Sequence, residues 1–412
     1  MCPADMSLEG NVALSHIVMM GGGLPQVDPP SAGMRYVRDV ARVHRRWGQV
    51  VAVAPSDPLG KVLEDVRGVV PPRREHPAGS ILDRAELPGR FENAIRRLDP
   101  AALPMRWLPW LLDGEGRRLI EQADVIDLEW LEFIRLAPIL KRMNPHARVV
   151  GTFHDVMSQL FSRRADETST SAARLRWKAI TAWTRMQERA VLRHLDAVVT
   201  LNEKDSDLLR ELGAADVEVI CPPLGINETA REPEGHEVLV VGYYRRDVNV
   251  EGAQWLVEQV WRAVRAAVPD ATLTLAGGDP DDRVSALASS ENGISVTGWV
   301  DDLDPLYARA AVVAVPLLMG SGVKFKTIEA MCAGVPVVST TIGAEGVHRF
   351  QDFGLVADDP DDFVNALIET LTDGDRSEKR AAEGRVISLD HYSWDSFEYK
   401  VASVFHPQRF PE

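Results

Sequence analysis

The segment from Met319 to Gly346 combines glycines, lysines and a carboxylate at a spacing that suits an anionic, hydroxyl-rich ligand. Gly320 and Gly322 allow backbone angles that residues with a Cβ avoid. They precede a predicted helix over 324–333, whose first N–H groups and dipole favour a phosphate group. The pattern therefore predicts a phosphate cradle at the start of this helix.

Charged side chains follow these glycines in the same segment. Lys324 and Lys326 are expected to supply mobile cationic donors beside the phosphate, and Glu329, about one turn later, to accept hydrogen bonds from sugar hydroxyls. The helix is expected to end at Gly334 and to lead into a short buried parallel strand over 335–339. The segment thus predicts a site for a ligand that carries both phosphate and hydroxyl groups.

Two further sequence features favour different kinds of chemistry. His154 follows a predicted strand in GTFHDV, where it and Asp155 fit a catalytic pair, an orienting contact or a satisfied core histidine. The loop GGGLPQVDPPSAG lacks the complete fingerprint of a nicotinamide site, so that cofactor is disfavoured. The carboxylates of Asp279, Asp281 and Asp282 are expected to lie in a solvated turn, and no metal or other cofactor is predicted.

Composition excludes several classes of partner. The chain has 412 residues and a net charge of -15. Its first 225 residues carry 30 basic and 30 acidic side chains, which leaves 16 of the 46 basic and 31 of the 61 acidic residues for the remainder. Nucleic acid requires an extended basic face, so it is not an expected partner. Lys324 and Lys326 are stronger evidence for an anion site because they lie in the acidic second part of the chain.

Hydropathy and cysteine usage bear on the compartment. No apolar run approaches the roughly 20 residues that cross a bilayer, and the first residues lack a basic region ahead of their apolar stretch. Three scattered cysteines are too few for a disulfide framework. A cytoplasmic location is therefore expected.

Alternating strand and helix patterns predict an α/β fold of two doubly wound Rossmann-like domains that face each other across a cleft. The expected boundaries are 1–225 for an acceptor-side domain and 226–388 for a donor-binding domain, joined by a linker at 221–236. The aromatic spacing of 389–412 predicts a helix with a packing role, and its return to the first domain stays open as one way to provide that packing. The Pro- and Arg-rich span 60–113 is expected to be an insertion or a lid.

The string GSGVKFKTIEAMCAGVPVVSTTIGAEGV resembles the motif of the retaining glycosyltransferases of family 4, which have the GT-B fold. The resemblance extends over much of the second half of the chain, through VVGYYRRDVNVEGAQWL, LTLAGGDP and ISVTGWVDDLDPLYARAAVVAVPLL. In the first half it rests on PPSAGMRYVRDVARVHRRWGQVVAVAP, GTFHDV and VVTLNEKDSDLL. The family resemblance is therefore most specific in the predicted donor-binding domain.

The resemblance assigns roles to individual residues. It implies that Lys326 contacts the donor diphosphate, that Glu329 binds the ribose, and that His154 touches the donor sugar from the other domain. These three residues are the expected catalytic set. The remaining donor-binding residues implied by the resemblance are Gly33, Arg35, Arg245, Trp299, Val300, Ser321, Gly322, Val323, Lys324 and Glu345.

The chain also departs from the family pattern. Many relatives have a glutamate at the position of Ser321, which leaves the identity of the sugar open. Relatives often have an arginine and a lysine where this chain has Tyr243 and Asn249. Arg245 or Arg246 would then substitute, or the two lysines of the motif would act without them.

These observations predict a glycosyltransferase that moves a sugar from UDP or GDP to an acceptor nucleophile, with retention of configuration. Two alternatives stay open: a GT-B subunit that binds nucleotide without turnover, and a nucleotide-sugar epimerase. The acceptor is unassigned among small molecules, lipid-linked sugars and polysaccharides. The basic helix predicted over 171–194 favours an ordinary surface role over a peripheral membrane contact.

Overall fold

The computed structural model describes residues 15–409, apart from positions 30, 59, 101, 113 and 321 and the segments 72–96, 103–106 and 225–229. The described residues form two compact units. The first comprises those up to 223 together with those from 395 onward, and the second comprises those in 224–394. Within the described ranges, no helix has both the length and the apolar character needed to span a bilayer.

The first unit contains a parallel sheet in the order β3-β2-β1-β4-β5-β6-β7. Its strands are rich in buried β-branched residues, as expected for a parallel sheet that is covered on both faces. Their bounds are β1 Ser15–Met20, β2 Gly48–Val53, β3 Val66–Val69, β4 Val125–Glu129, β5 Arg148–Phe153, β6 Ala197–Thr200 and β7 Val217–Val219.

Helices connect and cover these strands, with a core formed by apolar side chains of both. The helices described here are α1 Ala32–Trp47, α2 Trp107–Leu112, α3 Gly114–Glu121, α4 Leu131–Ile134, α5 Ala137–Met143, α6 Met157–Glu167, α7 Ser171–Leu192 and α8 Glu203–Glu211.

The expectation of an insertion or lid over 60–113 is wrong for the parts of that span that the structure describes. Val66–Val69 pairs in parallel with β2 and extends the sheet. Trp107 and Leu111 are fully buried in the core of the unit. The high content of Pro and Arg obscured these short apolar segments, which the sheet and core require.

The second unit has its own parallel sheet, in the order β10-β9-β8-β11-β12-β13, and its own core. The strands are β8 Glu237–Val241, β9 Thr272–Ala276, β10 Ile294–Gly298, β11 Val312–Val315, β12 Val337–Ser339 and β13 Leu355–Val356. The helices are α9 Asp247–Trp255, continued by a π-helical segment Leu256–Trp261 and by α10 Arg262–Ala267, then α11 Asp282–Ser285, α12 Asp304–Arg309, α13 Phe325–Cys332, α14 Thr341–Ala344, α15 Phe350–Phe353, α16 Pro360–Thr372 and α17 Gly374–His391.

The chain ends on α18, Trp394–Phe405, followed by a 3₁₀ turn, Pro407–Arg409. From Asp395 onward the chain is part of the first unit. Phe397 is 5.7 Å from Tyr36 of α1 between ring centroids, and Lys400 donates a hydrogen bond to the carbonyl of Val219 at 3.2 Å. Aromatic packing therefore ties the end of the chain to the first helix of the unit.

Each sheet has a point at which the strand order reverses. It lies between β1 and β4 in the first unit and between β8 and β11 in the second. The loops that follow two such neighbouring strands diverge and leave a crevice, where doubly wound sheets bind ligands. The sequence motifs around His154 and Lys326 follow strands at or next to these points.

Candidate active site

A glycine turn follows β11 at the reversal point of the second sheet. Gly320 has φ 147° and Gly322 has φ 73°, both in the region that side chains with a Cβ avoid. The prediction that these glycines adopt special backbone angles is confirmed. Ser321, between them, lies outside the described residues.

The ammonium group of Lys324 stabilises this turn. The side chain is only 4% exposed, and Nζ donates to the carbonyl oxygen of Gly322 at 2.8 Å and lies 4.0 Å from a carboxylate oxygen of Glu345. The expectation that Lys324 is a mobile donor is therefore wrong, because its ammonium group is buried and contacts both Gly322 and Glu345. Val323 is partly buried beside it.

Lys326 lies in the first turn of α13 and is partly exposed. Its Nζ donates to Oδ1 of Asn249 at 2.8 Å, and Nδ2 of Asn249 donates to the carbonyl oxygen of Tyr243 at 2.7 Å. Because the backbone of Tyr243 fixes the amide group, Oδ1 is directed at the lysine. Asn249 thus positions the ammonium group at the crevice between β8 and β11.

The electrostatic surroundings of Lys326 disfavour its charge. Burial, and then the nearby guanidinium of Arg246, lower the pKa of Lys326 to about 8. Arg245 and Arg246 are both exposed in the loop after β8. Burial removes part of the hydration of this ammonium group and so disfavours its charge. A bound polyanion would stabilise the charged form, as expected at a phosphate site.

Glu329 lies on the same helix, one turn after Lys326. The hydroxyl of Tyr307 donates to its Oε2 at 3.4 Å. Burial and the Glu329 carboxylate raise the pKa of Tyr307, so this hydroxyl keeps its proton. Tyr307 thus orients one carboxylate oxygen of Glu329, and Glu329 is only partly buried.

The end of α13 follows the prediction. Gly334 has φ 72°, its N–H donates to Met331 O at 3.0 Å, and the N–H of Val335 donates to Ala330 O at 3.0 Å. These are the two bonds of a Schellman motif. The strand β12 then begins at Val337, two residues later than predicted, and is buried and parallel as expected.

Exposed aromatic rings flank the loop after β9. Trp299, which is 74% exposed, and Tyr243, which is 44% exposed, both approach Gly278, where a Cβ would lie 2.8 Å from Cε3 of Trp299. Trp299 Nε1 donates to Asp301 at 2.7 Å, and Val300 beside it is partly buried. The two rings provide apolar faces at the carboxyl edge of the sheet.

The acidic residues near this edge have structural roles. Asp281 accepts hydrogen bonds from the N–H groups of Arg283 and Val284 and caps α11. Asp302 accepts one from the N–H of Asp304 at the start of α12.

The reversal point of the first sheet carries a second cluster, centred on His154. The ring follows β5, is 5% exposed, and its Nε2 lies 2.6 Å from Oε2 of the fully buried Glu129 at the end of β4. The indole of Trp130 stacks on it, with ring centroids 4.1 Å apart and an interplanar angle of 14°. Burial lowers the pKa of His154 to about 3, so the imidazole is neutral at pH 7.

The amino end of α1 closes over this histidine. A Cβ at Gly33 would lie 3.1 Å from Cζ2 of Trp130 and 3.5 Å from Nδ1 of His154. Arg35, one position beyond Met34, is exposed on the same turn. Gly21, after β1, packs on the same indole, with a Cβ position 3.2 Å from Cζ3. The glycine loop therefore has a packing role against Trp130.

Sequence reasoning missed three residues of these clusters, namely Asn249, Glu129 and Trp130. In the sequence, Asn249 stands out only as a departure from the family pattern, although its short amide is what reaches Lys326. Glu129 is the last residue of β4, and an acid at the carboxyl end of a buried strand is the signal that could have found it.

Comparison with protein families gives one match in the second unit. Residues 235–373 match the family described as Glycosyl transferases group 1. A curated relative, the MMP alpha-(1->4)-mannosyltransferase of Mycolicibacterium hassiacum, is 26% identical over 275 residues, which cover 62% of this chain. The aligned region spans 64% of that enzyme's length.

Solved structures with similar folds cover nearly the whole chain. The sucrose-phosphate synthase of Thermosynechococcus elongatus superposes with a TM-score of 0.64 at 17% identity, over 96% of this chain and 98% of its own. The Anabaena protein HepE, solved in complex with UDP and glucose, superposes with a TM-score of 0.59 at 15% identity, over 94% and 98%. The chain therefore has the GT-B fold, and residues 235–373 in its second unit are similar to the glycosyl transferases group 1 family.

Proposed function

We propose that this protein transfers a sugar from a nucleoside diphosphate to an acceptor nucleophile, with retention of the anomeric configuration, as in glycosyltransferase family 4. The observation that carries the proposal is the placement of Lys326. The side chain of this partly exposed residue lies at the first turn of a helix, at the reversal point of a parallel sheet, within the segment that matches the glycosyl transferases group 1 family.

The chemistry of the donor suits the residues around this lysine. When the bond between sugar and diphosphate breaks, negative charge builds on the leaving phosphate, and a fixed cation lowers the barrier. With a pKa of about 8, Lys326 is mostly charged at pH 7. Removal of one such preorganised contact commonly costs about two to three decades in rate.

Neighbouring groups suit the rest of a nucleotide. Glu329, oriented by Tyr307, offers carboxylate oxygens to the ribose hydroxyls. The exposed rings of Trp299 and Tyr243 offer apolar faces for a base. The structure of HepE with UDP and glucose supports a nucleotide-sugar donor for this fold, and we propose UDP or GDP here.

Retention fits a front-side route, in which the leaving phosphate itself takes the proton of the acceptor. The neutral, buried His154 suits hydrogen bonding to a sugar hydroxyl rather than stabilisation of charge. The proposal assigns the ring to that role and requires no dedicated metal ion.

Incubation of the protein with a panel of UDP- and GDP-sugars and candidate acceptors tests the proposal. We expect one donor to release its nucleoside diphosphate and to yield a glycoside with the anomeric configuration of the donor, read by proton NMR. Lys326→Ala should abolish transfer, while Lys379→Ala, at an exposed lysine of α17, should not. Donor binding without cleavage would identify an inactive subunit instead, and an epimerised donor without acceptor would identify an epimerase.

A further inference from the structure

The buried carboxyl group of Glu129 has no role in the chemistry described so far, although it makes the shortest polar contact of His154. Its Oε2 lies 2.6 Å from Nε2 of the ring, whereas no hydrogen-bond partner for its buried Oε1 is found within the described part of the chain. A buried, charged carboxylate with one oxygen that accepts no hydrogen bond lowers the stability of the fold. A neutral carboxylic acid at the same place lowers it much less.

The surroundings reinforce this preference for a neutral carboxyl group. Asp127, two residues earlier on the same strand and also fully buried, adds negative charge nearby. Burial and then Asp127 raise the pKa of Glu129 well above its usual range. His154 is enclosed by the indole of Trp130 and the ring of Tyr36, which is 5.4 Å away between centroids.

We propose that Glu129 is a positioning residue for His154, whose carboxyl proton is donated to Nε2 so that the ring proton stays on Nδ1. The opposite nitrogen then becomes a hydrogen-bond donor. Nδ1 is the ring atom that faces the amino end of α1, where a Cβ at Gly33 would lie 3.5 Å from it. That the recipient is a hydroxyl of the donor sugar rests on the proposed function, whereas the position of the proton does not.

The backbone at Trp130 gives independent support for a built site. This residue has φ 67° and ψ 151°, an unusual conformation for a residue with a bulky side chain, and it lies directly between the end of β4 and α4. The conformation lets the indole lie flat on His154 while Glu129 holds the ring edge. Such outliers persist where surrounding structure fixes them and cluster at functional sites.

Nitrogen-15 NMR of the histidine-labelled protein at pH 7 tests the assignment without any substrate, with the His154 signals identified by loss in His154→Gln. We expect a neutral ring protonated on Nδ1. A ring protonated on Nε2 would overturn the proposal, as would unchanged ring signals in Glu129→Met. Glu129→Gln keeps an N–H donor for Nε2, and it should retain the Nδ1–H form; a shift to Nε2–H in this variant would also contradict the proposal.

Kinetics separate this proposal from the proposed function. Once a donor is identified, Glu129→Met should lower kcat by roughly 10- to 100-fold, as loss of an orienting partner of a histidine commonly does, and Glu129→Gln should restore most of it. Glu188→Gln, at another fully buried carboxyl of the same unit, is the matched control. Unaltered turnover in folded Glu129→Met would refute the positioning role, whereas an absence of turnover in every variant and in the wild type would refute only the glycosyltransferase assignment.

Discussion

Replacement of Lys326 by methionine should separate ligand binding from stability. A pKa of about 8, against 10.5 for a free lysine, means that the fold disfavours the ammonium by about 3 kcal/mol at pH 7. Methionine removes this cost and keeps a long apolar stem. It also leaves Oδ1 of Asn249 without its lysine donor, which costs about 1–3 kcal/mol.

The two effects nearly cancel, so the free energy of unfolding should stay within about 2 kcal/mol of the wild type. Because the pKa of the lysine is lowered, its charge destabilises the fold below pH 8, and the penalty fades as the pH rises towards 10.5. Any advantage of Lys326→Met in stability should therefore shrink over that interval. Urea unfolding at pH 7 and pH 10 measures both quantities.

Binding should respond in the opposite sense. Loss of a charge-assisted contact to phosphate costs about 1.5–3 kcal/mol, which weakens the binding of UDP or GDP by roughly 10- to 150-fold in calorimetry. Lys379→Met, at an exposed lysine of the same unit, should leave both stability and binding unchanged. A folded Lys326→Met that binds diphosphate as tightly as the wild type would refute the assignment, as would equal losses in the two variants.

Three further outcomes follow from the same geometry. Diphosphate affinity should fall as the pH rises above about 8, where Lys326 loses its proton, and a calorimetric profile that is flat from pH 7 to pH 9.5 would contradict this. Trp299→Ala should weaken nucleotide binding by about 1–3 kcal/mol if the ring stacks on a base, with no change for inorganic pyrophosphate. Gly33→Ala should lower turnover, because its Cβ would lie 3.1 Å from Trp130 and 3.5 Å from Nδ1 of His154 and would crowd the ring; unchanged turnover would contradict a role for His154 at this position.

Much of the fold could be predicted because continuous runs of β-branched residues in the sequence indicate buried parallel strands. The predicted buried strand after Gly334 is present as Val337–Ser339, and the helix end at this glycine followed from its special backbone angle. The strands at 66–69, 217–219 and 355–356 were missed. Each has four residues or fewer, which is too short for periodicity to distinguish a strand from a loop.

The candidate site was predictable where chemistry follows from contiguous sequence and not where it depends on neighbouring strands. Gly320, Gly322 and Lys326 belong to one continuous motif. The contact of Lys326 with Asn249 joins positions 77 residues apart, and that of His154 with Glu129 joins positions 25 apart at the ends of adjacent strands. The burial of Lys324 was also hidden, because a lysine next to a glycine turn is ordinarily expected in solvent.

Calorimetric titration of the wild-type protein with nucleoside diphosphates and the matching monophosphates tests the central claim most directly. We predict that UDP or GDP binds, and that loss of its terminal phosphate weakens binding at least about tenfold, or 1.4 kcal/mol, because Lys326 contacts the diphosphate. Absence of binding by both diphosphates at about 1 mM, or equal affinity for diphosphate and monophosphate, would contradict the account.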